Sequence, residues 1–245
     1  MGVSRDVLWS YKEHLRCNSK IMASTKNLYL NTAKNCMKQF FMMGLLDIDV
    51  SGTVKAFKIS TEHKHSAIQE VDRKKVFNFL NKLGDARLSL IFHFLGFQGL
   101  RRGEVCSLSI DDYNKSAKTL LISGKGYEGK TMVHLHSRTV KAIDHYLETQ
   151  NIRSGYFFQS DKSSTGHMST VQLHRLVADV HKRCFIKQRL HNWRKYYASS
   201  LLENGFDVIT ASKFTRHKSI QTLSIYYDRV DMNKRLSDYE KVFSK

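Results

Sequence analysis

Apolar side chains recur along this chain mostly with a helical period. Leu30, Ala33, Met37 and Phe40 fall at i, i+3, i+7 and i+10, on one helix face. Ser24 and Thr25 stand just before that stripe as candidate N-caps. Val76, Phe79, Leu80 and Leu83 make a second stripe, and Leu88, Ile91, Phe92 and Leu95 a third. Three short β-like runs follow, at residues 108–110, 119–123 and 131–136. The last two flank Gly124-Lys-Gly-Tyr-Glu-Gly129, a glycine-rich turn suited to a hairpin, and His134 and His136 share one face of the final run. Helical spacing returns with Leu173, Leu176, Val177 and Val180, then with Trp193, Tyr197 and Leu201. Asn204-Gly205 closes that last helix, and Asp207 can cap the next.

The polar stretch at residues 60–66 interrupts these patterns and reads as a linker, which puts a helical domain at 1–60, the linker at 61–68 and a larger domain at 69–245. The expected fold class is mainly α with a small antiparallel β-sheet (α+β), in two domains.

Charge narrows the function. Forty Lys+Arg against 22 Asp+Glu leave a net +18, a surface that suits a polyanion such as nucleic acid or an anionic membrane. A membrane span is not expected, because no run approaches the roughly 18 apolar residues required. The opening MGVSRDVLWSYKEHL has charges where a signal peptide needs an apolar core. Cys17, Cys36, Cys106 and Cys184 lack metal or disulfide spacing, so a reduced, cytoplasmic protein without a metal site is expected. The chain has no proline, and the sequence offers no functional account of that.

Five features carry candidate chemistry, each with an ordinary alternative. Gly99-Leu-Arg-Arg-Gly-Glu-Val105, taken in isolation, reads sooner as a helix start with surface arginines. Lys125 sits on the glycine-rich turn, where most lysines are merely solvated. His191-Asn-Trp-Arg194 sets His and Arg at i and i+3 on one helix face. His217 follows Arg216, and Tyr226-Tyr227 comes nine and ten residues later. Arg101 precedes Lys125 by 24 residues, and Arg194 precedes His217 by 23. In this order and spacing the set resembles the tyrosine recombinase (phage integrase) family: GLRRGEV is similar to its G-L-R-x-x-E box, HNWR to its H-x-x-R box and HKSIQTLSIY to its H-x(8)-Y box. Arg101 rather than Arg102, and Tyr226 rather than Tyr227, keep the register of those boxes. Three departures stand out: Asn192-Trp193 before Arg194, Thr215-Arg216 where Leu-Gly is usual, and Val133-His134 where proline is common.

The resemblance implies a catalytic set of Arg101, Lys125, His191, Arg194, His217 and Tyr226 in a C-shaped clamp on duplex DNA. Tyr226 would attack phosphorus, forming a 3′-phosphotyrosine and freeing a 5′-hydroxyl. Arg101 and Arg194 would grip the non-bridging oxygens, Lys125 would protonate the departing oxygen, and His191 would shuttle the tyrosine proton. His217 would hydrogen-bond the phosphate, with Glu104 orienting Arg101. No cofactor or metal is implied.

For DNA contacts the candidates are Lys26, Lys34 and Lys38 on one broad helix face, with Lys213 and Arg216 in the larger domain. Residues 181–235 hold twelve Lys+Arg and four Asp+Glu, 12 − 4 = +8. The implied assembly is a homo-oligomer, a dimer per recombination site and a tetramer at synapsis, with an accessory protein as an option. An apolar stripe of Met232, Leu236, Tyr239 and Phe243 could dock on a neighbour. Two rival readings remain, a type IB topoisomerase-like enzyme and a catalytically silent DNA-binding relative.

Overall fold

The computed structural model describes residues 6–59, 67–124, 129–160, 163–217 and 223. Lys125, Tyr226, Tyr227 and the stripe from Met232 to Phe243 lie outside the described residues, as does most of the expected linker. The chain divides into two compact units, Met1–His63 and Lys64–Lys245. Among the described residues, no helix is long and apolar enough to cross a membrane.

In the first unit α1 (Val7–Cys17) packs on α2 (Ala23–Met42) around Leu8, Leu15, Leu30, Val50 and Val54. Ala33 and Met37 lean on this cluster, whereas Phe40, at the end of the stripe, is 37% exposed. The expected Ser24 and Thr25 caps are not used. The helix starts earlier, at Ala23, with Met22 in the cap position and no side-chain bond there. Asn27 instead ties the chain after the helix: its amide donates to Phe57 O at 2.9 Å and accepts from Phe57 N at 2.7 Å.

The second unit is built on α3 (Glu70–Leu83) and α4 (Ala86–Gly96). Gly84, with φ +70°, ends α3, and Asp85 caps α4 by accepting from Leu88 N at 2.8 Å. Helix α4 is apolar nearly all round because neighbours cover it nearly all round. Leu90, Ile91, Phe92, Phe94 and Leu95 are buried, and α3, α6 (Ser137–Gln150) and α8 (His191–Glu203) pack on it. At roughly 1.5–3 kcal/mol per fully buried side chain, this one helix anchors much of the core.

The sheet has three antiparallel strands in the order β1 (Tyr113–Asn114), β2 (Thr119–Ser123) and β3 (Lys130–His134). Thr119 faces His134 and Ser123 faces Lys130, so the 124–129 segment joins a hairpin as its sequence suggests. The run at 108–110 is not a strand of this sheet. Ser109 accepts from Asp111 N and turns the chain into a 3-10 segment, which leaves only a bridge to Tyr156. The strand expected to reach residue 136 stops at His134, because His136 caps α6 by accepting from Arg138 N at 3.1 Å. Three further helices complete the described part: α5 (Arg102–Cys106), α7 (Thr170–Arg183) and α9 (Val208–Thr215). Asp207 caps α9 as its sequence suggests, through Thr210 N at 2.8 Å.

One buried polar contact fixes α7 to α8. Trp193, fully buried, donates its indole N–H to His181 Nε2 at 2.9 Å. An indole only donates, so Nε2 accepts, and Nδ1 must carry the proton that reaches Gln188 O at 2.8 Å. Burial, foremost, keeps this imidazole neutral by lowering its pKa. Trp193→Phe should therefore cost about 2–4 kcal/mol, from an orphaned buried acceptor and a small void. Denaturant unfolding within about 0.5 kcal/mol of the parent, the ordinary scatter of neutral changes, would show that the contact contributes little.

Candidate active site

The site begins where the chain leaves α4. Gly99 has φ +57°, and a Cβ placed there would overlap the ring of Tyr197 on α8. Only glycine suits both the left-handed backbone and the close approach. The turn delivers Leu100 to the core and Arg101 to the head of α5. Glu104, one turn into α5 and 4% exposed, reaches back to Arg101 N at 2.6 Å and to its Nη1 at 2.7 Å. This is the carboxylate half of a capping box, with an ion pair where a hydroxyl would normally close it.

Helix α8 supplies His191 and Arg194 from its first turn. Arg194 is buried and donates from Nη1 to Gly99 O at 2.6 Å and from Nη2 to Thr215 O. It thereby ties the turn before α5 to the last residue of α9. That end carries Arg216 in a left-handed cap at φ +55°, then His217. The carbonyl of Arg216 accepts from Arg101 Nη2 at 3.0 Å, so both arginines hold the same short segment. Thr215 Oγ1 donates to Ala211 O at 2.8 Å, and with its one proton so used it accepts from His217 Nδ1 at 2.6 Å. A neutral His217 then offers Nε2 as an acceptor, and it becomes a donor there only on gaining a proton.

A cavity of 440 Å³ opens beside these groups, lined by Arg101, Arg102, His174, Arg189, His191 and Arg194 among others, with no carboxylate in its described wall. The electrostatics follow. His217 is pushed down to about 4 by burial first, then by Arg194, Arg101, Arg216 and His191. His191, although exposed at its helix end, is lowered by crowding of protein around the ring and then by Arg194, Lys195 and Arg101. Burial raises the Glu104 carboxyl, but Arg216 and the Arg101 bonds outweigh it and leave the net shift downward. Two neutral imidazoles beside fixed guanidinium charges make a place for an anion that can hand protons in either direction.

The structure therefore brings together Arg101, His191, Arg194 and His217 of the expected set. Lys125 and Tyr226 fall outside the described residues, although the described stem of the Lys125 hairpin is anchored where Lys130 meets Asp112 at 2.6 Å. Arg102 lines the same cavity as Arg101 but is exposed. Of the expected DNA contacts, Lys213 is exposed, while the head of Arg216 is turned inward to Glu104 at 2.9 Å. In the first unit Lys38 is exposed, Lys26 donates to Arg16 O at 3.0 Å and Lys34 to Val54 O at 2.9 Å. Sequence reasoning overlooked Tyr197, Thr215, His174 and Arg189. The first two act through ring packing and a main-chain oxygen, which have no motif, and the other two fall between the boxes. Among the described residues no three His, Cys, Asp or Glu side chains come together as a metal site.

Residues 67–233 match the family described as the phage integrase family. The chain is 29% identical over 199 residues to tyrosine recombinase XerA of Pyrococcus horikoshii, an alignment covering 80% of this chain and 68% of that protein. It spans less than two thirds of two further tyrosine recombinases that it matches, 59% and 56% of their lengths. Among solved structures, it resembles a crystal structure of XerA recombinase (TM-score 0.62, 23% identity, 99% of this chain and 84% of the other). A lambda integrase tetramer bound to a Holliday junction is similar in fold (TM-score 0.67, 15% identity, 91% and 64%).

The lowered histidines set the acid response. His217 and His93 are both held at about 4, below the 6.5 of a free imidazole, so the unfolded chain binds more protons between those values. The stability from keeping them neutral is complete above pH 6.5 and is lost as pH falls toward 4. The Tm should drop across this window, and His217→Gln should flatten the slope. An equal slope in that variant would mean that His217 is already charged in the folded protein.

Proposed function

The chain belongs to the phage integrase family, and from that premise we propose that it is a site-specific DNA recombinase, cutting and rejoining strands through a 3′-phosphotyrosine on Tyr226. The observation that carries this reading is the convergence of Arg101, Arg194 and His191 on one cavity free of carboxylates in its described wall, with His217 close enough to feel the charge of both arginines. A phosphodiester needs two things there: positive groups for the charge that builds on phosphorane oxygens, and a path for protons.

In the proposed step the Tyr226 oxygen bonds to phosphorus while the bond to the 5′ oxygen breaks. The phenolic proton passes to His191, neutral and crowded by cations, and Lys125 gives a proton to the departing oxygen. Arg101, with its side chain 37% exposed, and Arg194 both line the cavity and would grip the non-bridging oxygens there. The approach of the anion favours a proton on His217, turning its Nε2 into a donor. Religation is the reverse: the 5′-hydroxyl attacks the phosphotyrosine, so no nucleotide is consumed. Duplex DNA is the partner, engaged by the exposed Lys38 and Lys213 among others. Two protomers would act per site and four at synapsis, as the lambda integrase tetramer on its junction suggests by fold. The setting is cytoplasmic DNA, and the outcome integration, excision or resolution.

A nicked suicide duplex tests the chemistry in EDTA. The parent protein should form a covalent adduct, and Tyr226→Phe should form none while retaining binding. Adduct surviving in Tyr226→Phe and lost in Tyr227→Phe would move the nucleophile by one residue, and no adduct from any form would favour the silent DNA-binding reading.

Lys125 is tested separately. Lys125→Ala should cleave ordinary DNA slowly, by about 100-fold or more, yet recover on a 5′-phosphorothiolate whose sulfur leaves unprotonated. The same defect on both substrates would limit Lys125 to holding phosphate.

A further inference from the structure

Arg216 occupies a position in which arginine is strained. Its φ of +55° caps α9 in the left-handed region, where a Cβ crowds the backbone and glycine does not. The boxes that this chain resembles usually carry glycine there. The side chain is not out in solvent offsetting that strain on DNA, because it is only 9% exposed. Nη2 meets Glu104 Oε2 at 2.9 Å and Nη1 donates to Phe214 O at 3.3 Å. Nε is buried without a hydrogen-bond partner among the described residues.

We infer that Arg216 is a positioning residue for strand cleavage, which by sharing the Glu104 carboxylate sets both the orientation and the free charge of Arg101. The inference rests on the recombinase reading above. Glu104 accepts three bonds: from Arg101 N, from Arg101 Nη1 and from Arg216 Nη2. Without Arg216, the buried carboxylate has the charge of Arg101 alone as its partner in this cluster, and the pair is neutral. With Arg216 present, two guanidinium groups share one carboxylate and a net positive charge remains. That surplus lies beside the cavity where the phosphate would sit, at the arginine with more exposed surface, Arg101 at 37%. The main chain of Arg216 adds a second hold, since its carbonyl accepts from Arg101 Nη2 at 3.0 Å. One residue at the end of α9 therefore fixes the first arginine twice. Arg194, which donates to the Thr215 carbonyl next door, is held to the same segment. Because His217 follows directly, these links put three of the site's groups on a single frame.

Arg216→Gly separates the two holds. Glycine adopts the cap without strain and keeps the carbonyl, so what is lost is the link to Glu104 and the longer bond to Phe214 O within the same turn. The experiment compares parent and variant on a suicide duplex with an ordinary scissile phosphate and on one with a neutral methylphosphonate there. On the phosphodiester, Arg216→Gly should cleave about 10- to 100-fold more slowly, a cost typical of a misplaced catalytic group. Single-site binding should stay within about threefold, a difference of less than 1 kcal/mol. On the methylphosphonate, which has less charge to stabilise, the gap between parent and variant should shrink to a few-fold. Arg216→Lys, retaining a cation beside Glu104, should recover part of the rate on the phosphodiester. Parental cleavage by Arg216→Gly would overturn the inference. So would an equal defect on both substrates, a loss of binding in step with cleavage, or failure of the glycine variant to fold; these would make Arg216 a structural residue or a DNA contact. Failure of the parent itself to form an adduct would instead strike the recombinase reading.

Discussion

The catalytic part of this protein hangs on one buried guanidinium. Arg194 lies almost wholly out of solvent and donates to the carbonyls of Gly99 and Thr215, 95 and 21 residues away in sequence. Burying an arginine is costly unless its donors are met, so the fold has to bring those two carbonyls to it or lose the unit. Satisfying it fixes where Arg101 leaves the core and where α9 ends. The site is thus a by-product of solving a burial problem. Groups that the proposed reaction would bring to a phosphate are held by hydrogen bonds that the fold needs in any case, which is how such a site would stay assembled before its substrate arrives.

The second consequence of that geometry is electrical. Positive charges are gathered around the cavity while the two nearby imidazoles stay neutral, first because burial disfavours a charged ring and then because further cations would be repelled by the arginines already present. Among the described residues Glu104 is the carboxylate drawn into the cluster, and it is absent from the cavity wall that the arginines line. The balance suits a ligand that brings its own negative charge.

Much of this was legible in the sequence, for a physical reason that also marks where legibility ends. The stripes of α4 and α7 could be read because core burial imposes their period, whereas in α8 Trp193 is buried but the inward positions after it are Ala198 and Leu202 rather than Tyr197 and Leu201. Asp207 could be read as a cap because its carboxylate meets an unpaired N–H. The order and spacing of Arg101, His191, Arg194 and His217 were visible because side-chain identity carries their chemistry. The contacts that hold them were not, since Gly99 O, Thr215 O and Arg216 O are main-chain atoms that any residue supplies. Residues 108–110 misled for a related reason: the run looks β-like in sequence, but the Ser109 hydroxyl found a local backbone partner and turned the chain. Ser24 and Thr25 had the right chemistry for a cap in the wrong turn, with α2 already under way at Ala23. Arg216 shows the reverse case, a residue whose letter suggested a surface phosphate contact and whose backbone state turned it inward.

The chain has two tryptophans, and the fold gives one to each unit in opposite surroundings. Trp9 in α1 is 46% exposed, whereas Trp193 is sealed against Phe92 and bonded to His181. Their fluorescence should differ accordingly, with red-shifted, readily quenched emission from the first and blue-shifted, shielded emission from the second. The indole beneath the active helix is a built-in optical reporter, since any event that loosens α7 from α8 must let water or a charged imidazole reach it. Emission alone can then follow the catalytic unit and the smaller helical unit separately in the intact chain, without a label.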